Sequence, residues 1–421
     1  MDNINILVFP CGSEIALEVY ESLNDVKNIT LFGGSSVEDH GKFVFENYIG
    51  NIPFVNDDNF IPYIKDIVSK YNIDVIYPCM DVIITKLKEN ETKLNCKVVA
   101  SSIETTQICL SKAETYKKFK NLILVPKIYS KTDEFKYPIF SKPEVGASSR
   151  FTFKINDLID LEYYTQKYPN NLLMEYLPGS EYTIDCFTNF KGELLFTQAR
   201  KRNRISNGIS VNIQLVNDSK FKMLANAIND NLKLNGAWFF QVKENIDGEL
   251  TLMEIASRFG GSSSINRFLG VNFAHLSILN IFDIHTEIIT NNYNIECDRA
   301  LNVKSKIDLD FSKVYIDLDD TLIIKNKINT ELIKLIYQFI NDGKSIILIT
   351  KHRGNLTEIL SKYKLTLLFN NIIHLSKQEE KLDYMEPDSI FIDDSFLERK
   401  KVKNHLKIPI FSVDSIKTLL K

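Results

Sequence analysis

The sequence predicts a multidomain α/β and α+β chain, and three observations carry that prediction. Residues 1–108 alternate apolar strands with helices. Residues 109–300 carry successive strands joined by glycine turns, and from Val314 onward the alternation resumes. Strand–helix alternation argues for a parallel, doubly wound sheet, whereas strands joined by short turns argue for antiparallel pairing. At 421 residues the chain has room for about two to four domains.

In the first segment INILVFP (4–10) is a strand, and the Cys11-Gly12-Ser13 turn opens the helix EIALEVYESL. NITLFGGSS (28–36) is a second strand, residues 61–72 a helix, IDVIYPCMD (73–81) a third strand and CKVVASS (96–102) a fourth. Parallel sheets of this kind bind ligands at the carboxyl ends of their strands. Those ends carry Gly12-Ser13-Glu14, Gly33-Gly34-Ser35 and Cys79-Met80-Asp81. Each is also ordinary turn chemistry, but three on one edge make Glu14 and Asp81 substrate-site candidates.

The second segment opens with a capped helix, CLSKAETYKKF (109–119), carrying Lys112. YPIFSKPE (137–144) is a strand and residues 156–168 a helix. NLLMEYL, EYTIDCFTN, GELLFTQARKR, AWFFQVKEN and LTLMEIASR follow as antiparallel strands, with 219–234 an amphipathic helix among them. Phe190-Lys191-Gly192 and Ile246-Asp247-Gly248 read as hairpin turns. Residues 301–312 form a polar connector. The last segment, 313–421, reads VYIDLDDTL, a helix ELIKLIYQFIND, a strand KSIILIT, a helix, then SIFIDDS and IPIFSV as strands.

Composition narrows the function classes. Hydrophobic residues make up 44% and charged residues 25%, as in ordinary soluble proteins. Lysine and arginine (51) nearly balance aspartate and glutamate (54), for a net charge of −3. Broad attraction to nucleic acid or anionic membrane is therefore not expected, and anion binding must be local. The six cysteines are scattered without a CxxC pair, as suits free thiols in a reducing cytoplasm. MDNINILVFPCGSE reads as a first strand rather than a signal peptide. No apolar run approaches the ~20 residues of a membrane span. The expectation is a cytoplasmic protein with neither nucleic acid nor membrane as partner.

The richest chemistry lies in YPIFSKPEVGASSR (137–150), MEYLPGSEYTID (174–185) and LMEIASRFGG (252–261). A strand-end lysine, Lys142, precedes a glycine/serine loop whose N–H groups can cover phosphates. Glu175 and Glu181 follow at a strand exit, and Glu254 lies on a later strand. A GxxxxGK[ST] loop is absent, which excludes a Walker-type site. In order and spacing these residues, with Lys112 and Gln241, resemble the ATP-grasp superfamily. FPCGSEIALEVY, LFGGSSVEDHG and DVIYPCMD look like its carbamoyl-phosphate-synthase-like branch, which includes pyrrolysine-biosynthesis ligases. The resemblance covers roughly residues 1–300.

The resemblance implies a Rossmann-like pre-ATP-grasp domain (1–108) and a two-sheet ATP-grasp domain (109–300), whose part 109–180 includes a lid-like portion. Lys112, Lys142, Gly146, Ser148 and Ser149 would contact ATP phosphates. Glu175, Tyr176 and Leu177 would receive adenine, and Glu181 the ribose. Gln241 and Glu254 would hold Mg²⁺, and Arg258 would steady the transferred phosphoryl group. The family's E-x-N-P-R strand reads Glu254-Ile255-Ala256-Ser257-Arg258 here, so an asparagine ligand is missing. Either one Mg²⁺ is held less well, or another group such as Asn266 or a water fills the gap. In Gln198–Arg204 alternating residues share a strand face, which groups Arg200, Arg202 and Arg204; of these Arg200 and Arg204 are the candidates to bind a substrate carboxylate or phosphate.

VYIDLDDTLI (314–323) ends a strand in Asp317-x-Asp319-x-Thr321. Thr350 ends another strand, Lys381 precedes a third, and Asp393 and Asp394 end that one. Together these resemble the haloacid-dehalogenase-like (HAD-like) phosphohydrolases over 313–421. By that resemblance Asp317 is the nucleophile and Asp319 the general acid/base. Thr350 and Lys381 hold phosphoryl oxygens, with Lys377 as rival to Lys381. Asp317, Asp319, Asp393 and Asp394 surround Mg²⁺. The short span from Thr321 to the helix at 331 leaves no room for a large cap.

The two resemblances imply a carboxylate–amine or amino-acid ligase working through an acyl phosphate, fused to a Mg²⁺-dependent phosphatase. Its partners would be small carboxylates and amines, plus a phosphorylated small molecule for the C-terminal domain. They also admit a homodimer and a role in surface-polysaccharide or specialised-metabolite synthesis. Two other readings stay open at this point. One is a small-molecule kinase, and the other a catalytically decayed nucleotide-binding regulator, which only Ala256 favours.

Overall fold

The computed structural model describes residues 3–130, 133–146, 150–206, 208–291, 295–300 and 307–420. The chain divides into two compact units, Met1–Leu301 and Asn302–Lys421. The division falls at the start of the expected connector.

The first unit begins with a parallel sheet ordered β3-β2-β1-β4-β5. Its strands are β1 (Ile4–Phe9), β2 (Ile29–Gly34), β3 (Asn47–Ile49), β4 (Val75–Pro78) and β5 (Lys97–Val98). Helices α1 (Glu14–Leu23), α2 (Phe60–Tyr71), α3 (Asp81–Glu89) and α4 (Glu91–Leu94) connect them. Capping explains where α1 starts: the Ser13 hydroxyl accepts the Ala16 N–H at 3.2 Å, and Glu14 sits in the positive first turn. α2 stops where Asn72 turns left-handed at φ 49°. The order reverses between β1 and β4, the place where open α/β sheets form a ligand crevice. Sequence periodicity missed β3, α3 and α4. The first is a three-residue edge strand, and the other two lie in a stretch whose lysines and glutamates mask the apolar positions.

The expected helix over 109–119 is two helices, α5 (Ile103–Leu110) and α6 (Lys112–Phe119). Ser111 breaks it: its extended backbone (φ −101°, ψ 118°) lets its hydroxyl accept the Glu114 N–H. Lys112 consequently occupies the first position of a helix.

A small antiparallel sheet, β6-β9-β7-β8, follows, and beside it lies α7 (Leu158–Lys167). Its strands are β6 (Ile128–Tyr129), β7 (Ile139–Pro143), β8 (Phe153–Ile155) and β9 (Asn171–Glu175). The larger antiparallel sheet runs β14-β13-β10-β11-β12-β15. It comprises β10 (Glu181–Thr188), β11 (Leu194–Ser206), β12 (Ile209–Val216), β13 (Gly236–Glu244), β14 (Leu250–Ala256) and β15 (Glu296–Asp298). Helices α8 (Ser219–Asn229), α9 (Ser264–Phe268) and α10 (Phe273–Ile281) accompany it. Both glycine turns are hairpins, with Gly192 at φ 84° and Gly248 at φ 79°, the left-handed region a side chain would strain. Sequence reading did not separate β12 from the loop around it.

The boundary expected at 108 does not divide two cores. Ile6, Val8 and Tyr77 of the parallel sheet pack in one buried cluster with Phe187, Ala237 and Phe273 of the larger antiparallel region. Shared burial of this kind fuses the two layers into one body.

The second unit has a five-stranded parallel sheet ordered β20-β19-β16-β21-β22. The strands are β16 (Lys313–Ile316), β19 (Ser345–Thr350), β20 (Asn371–His374), β21 (Ser389–Ile392) and β22 (Ile410–Phe411). Helices α11 (Thr330–Asn341), α12 (Leu356–Lys362) and α13 (Phe396–Leu406) complete it. The span expected to lack a cap holds only the hairpin of β17 (Ile323–Ile324) and β18 (Lys327–Ile328). Continuous apolar runs such as SIILI bury both sheet faces.

Candidate functional site

The register of the large sheet builds one wall of a cleft of about 510 Å³ in the first unit. Glu254, Gln241, Thr183 and Arg200 are paired neighbours across β14, β13, β10 and β11, so they share one face. Two residues along, Ala256, Phe239 and Asp185 form the next row. Lys112 and Gly146 line the same cleft. Lys112 donates to the Gly146 carbonyl at 3.0 Å, which ties the helix start to the loop.

Lys142 on β7 is 6% exposed, and its ammonium donates to the Met253 carbonyl on β14 at 3.3 Å. The Tyr116 hydroxyl donates to the same carbonyl at 2.6 Å. No carboxylate among the described residues forms an ion pair with Lys142. Burial therefore pulls its pKa down to about 8, with the Lys112 charge adding to the fall while Glu254 and Glu181 oppose it. Glu254 in turn has no ion partner among the described residues. Its carboxylate and the Gln241 amide, opposed across two strands, are oxygen donors suited to one hard cation. Ala256 adds only a methyl to the cleft wall. Asn266 does not make up for it: it is fully buried, donates to Asp185 at 2.8 Å and is not part of the lining.

At the other end, the crevice between β1 and β4 opens into the same cleft. Glu14, Ile15, Asp81 and Val82 line it from the first turns of α1 and α3. Their backbone N–H groups have no acceptor among the described residues, an arrangement that favours anions. Arg258 crosses to Asp81 at 2.6 Å with its guanidinium 5.4 Å over the Phe239 ring. Its Nε is buried without a partner among the described residues. Burial lowers the pKa of Arg258, but Asp81 outweighs that and holds the guanidinium above its ordinary value. Glu14 pairs with Arg299 at 2.8 Å.

Not every expected residue reaches this cleft. Arg200 borders it, but its guanidinium is already engaged: it donates to Asp185 at 2.7 and 3.2 Å and to Ser262 at 2.7 Å. Asp185, fully buried, also accepts from Ser263 and Asn266. Arg204 lies outside the cleft lining, paired with Asp298 on the exposed sheet edge. A register shift between Arg202 and Arg204 breaks the alternation that grouped them. Arg202 instead lines the cleft and donates to Glu181 and Ser210. Lys142, Glu175, Tyr176, Leu177 and Glu181 are not in the lining. Tyr176 lies under the Lys154 ammonium at 4.6 Å. Ser148 and Ser149 fall outside the described residues.

In the second unit the carboxyl ends of β16, β19 and β21 meet. Lys381 is 4% exposed and donates to Asp317 at 2.7 Å and to Asp393 at 2.6 Å. Lys377 is exposed, so Lys381 is the lysine that reaches the acids. Ligand oxygens of Asp317, Asp393 and Asp394 lie within 4.8 Å of one another. Thr321 accepts the Asp394 N–H at 2.9 Å, and Asp393 accepts the Ser395 N–H at 2.7 Å. Burial pushes the Asp317 carboxyl up to about 7; Lys381 opposes the rise and Asp393 adds to it. Thr350 is buried at the end of β19. Asp319 is exposed beyond β16 and meets His352, a residue not singled out in the sequence although it stands two positions after Thr350.

Comparisons with known proteins bear on the first unit. A sequence family described as "ATP-grasp in the biosynthetic pathway with Ter operon" matches residues 167–304. No curated protein matches the chain. Among solved structures, biotin carboxylase from Campylobacter jejuni aligns with a TM-score of 0.56 at 14% identity, over 68% of this chain and 72% of that one. N5-carboxyaminoimidazole synthetase from Staphylococcus aureus, solved with ADP, gives 0.58 at 15% identity, over 68% and 79%. An L-amino acid ligase from Bacillus licheniformis gives 0.55 at 15%, over 67% and 75%. These likenesses show the fold alone, a mixed α/β one. Among the described residues no helix is long and apolar enough to cross a membrane.

Proposed function

We propose that the first unit is an ATP- and Mg²⁺-dependent carboxylate–amine ligase. One observation carries this reading: two buried lysines, Lys112 and Lys142, close enough for their charges to act on each other, with Glu254, which has no ion partner among the described residues, acting on Lys142. Cations without counter-charges suit a polyphosphate, and the acid suits its metal. The S. aureus synthetase of like fold was solved with ADP, which supports the assignment of the nucleotide.

Lys112 and Lys142 would hold phosphate oxygens, and Glu254 with Gln241 would hold magnesium. Bound there, the metal would neutralise phosphate charge. The acid substrate would lie between Arg258 and the first turns of α1 and α3. Its carboxylate oxygen takes the γ-phosphoryl group of ATP, ADP leaves, and Arg258 balances the charge on the transferred group. The amine then attacks the acyl carbon of the acyl phosphate and expels inorganic phosphate. The matching family's description supports a biosynthetic setting.

Incubation with ATP, a panel of acids and hydroxylamine tests the proposal. A hydroxamate is the expected product. A stable phosphorylated product would favour the kinase reading instead, and ATP left unconsumed by every acid would sink the ligase.

For the second unit the reading is a HAD-like phosphohydrolase that hydrolyses a small phosphate ester through an aspartyl phosphate. The cluster of Asp317, Asp393 and Asp394 supports it, being all oxygen and compact enough for Mg²⁺. Asp317 would attack phosphorus, Asp319 would manage the proton, and Thr350 with Lys381 would hold phosphoryl oxygens. A chain that hydrolyses no phosphate ester with magnesium present would refute this part alone.

A further inference from the structure

We infer that His352 is a positioning residue that fixes the Asp319 carboxyl for proton transfer in the second unit. The inference rests on the phosphohydrolase reading given above.

Asp319 is exposed, just past the end of β16, where a carboxylate would ordinarily sample several rotamers. Its two oxygens lie 3.0 and 2.9 Å from His352 Nδ1. No other side chain bonds the Asp319 carboxylate among the described residues. Because that nitrogen faces a carboxylate, it carries the hydrogen and donates. The backbone that carries the imidazole is itself held: the His352 main-chain N–H donates to Thr350 Oγ1 at 3.2 Å, and its main-chain carbonyl lies 2.8 Å from His374 Nε2. The side chain is 15% exposed. A Cβ at Gly354 would come within 2.7 Å of His352 Nε2. The ring thus fills the space left by a residue without a side chain.

The chemistry gives this contact a purpose. The Asp317 oxygen attacks phosphorus, the bond from phosphorus to the ester oxygen breaks, and Asp319 O–H passes its proton to that oxygen. Water then attacks the aspartyl phosphate, its proton goes to Asp319, and inorganic phosphate departs. His352 neither gives nor takes a proton. Its Nδ1–H, shared between the two carboxyl oxygens, fixes the plane of the carboxyl and so the direction in which its proton leaves.

Two esters separate this role from a structural one. p-Nitrophenyl phosphate has a leaving group that needs little protonation; benzyl phosphate needs a proton. His352→Ala should lower kcat for benzyl phosphate by ~10–100-fold, the scale of a misdirected catalytic group. For p-nitrophenyl phosphate the loss should stay under ~3-fold, with KM little changed for both. His352→Asn places an N–H where Nδ1 stands and should restore benzyl phosphate hydrolysis, whereas His352→Gln should not. Gly354→Ala, which crowds the ring without removing it, should imitate His352→Ala. Equal losses on both esters, or none, would overturn the inference while leaving the phosphohydrolase reading intact. A wild type inert toward both esters would overturn the reading, and the inference with it.

Discussion

Lys142 and Lys381 are both buried lysines at strand-built sites, 6% and 4% exposed, yet their surroundings are opposite. Lys142 meets a backbone carbonyl and, among the described residues, no carboxylate at ion-pair distance, and burial drags its pKa down to about 8. Lys381 is clamped between Asp317 and Asp393. Burial works against its charge too, but the two acids prevail and its pKa rises. A buried ammonium without a counter-ion is costly, and a protein keeps one where a ligand anion will arrive. A buried ammonium between two acids is already compensated, and what it regulates is the acids. On the proposed reading the first lysine would meet phosphate, and the second would serve its neighbour Asp317, the proposed nucleophile.

The largest expected effect comes from removing that neighbour. Asp317→Asn should cut p-nitrophenyl phosphate hydrolysis by ~10³-fold or more, as loss of a nucleophile does, while ATP binding stays unchanged. Lys381→Met should come next. It leaves Asp317 and Asp393 facing each other without compensation, so the second unit should lose ~3–5 kcal/mol in chemical denaturation. If stability holds, the clamp is not what balances the acids.

Lys142→Met should show the opposite pattern. Affinity for a nonhydrolysable ATP analogue should fall ~100-fold by calorimetry, while the ligand-free protein becomes no less stable. The smallest effect is its pH dependence. The folded pKa of about 8 lies below the ordinary 10.5, so between those values the unfolded chain binds more protons. Stability should therefore rise as pH climbs through that window, by on the order of 1–3 kcal/mol, and the Lys142 penalty is complete below it. Thermal melts of wild type and Lys142→Met from pH 7 to 10.5 should converge. Curves that stay parallel would mean the lysine is not desolvated as described.

The second unit was the more legible of the two. Its acids follow directly on strands β16 and β21, Thr350 ends β19, and a parallel sheet delivers all its strand ends to one edge. The local pattern VYIDLDDTL therefore placed the strand and the acids that the structure brings together with Lys381. The cleft of the first unit draws on α1, α3, α6 and the large sheet, whose mutual register no local pattern encodes. Hence Lys112 and Glu254 do line one cleft, but Arg204 was grouped with Arg200 by an alternation that a bulge interrupts. Asp185 escaped notice because an aspartate in EYTIDCFTN looks like any strand residue until four donors converge on it.

Sequence alone determined which segments alternate, where Ser13 and the hairpin glycines punctuate them, and which lysines and acids stand at strand ends, because those features depend on neighbours a few residues away. Only the tertiary structure decided that Lys142 lacks a counter-ion and Lys381 has two. It also decided that Arg200 is spent on Asp185 and that His352 meets Asp319. Each of these depends on distance and burial between residues far apart in the chain. Electrostatic energy follows the dielectric and the separation of charges, and a linear sequence specifies neither.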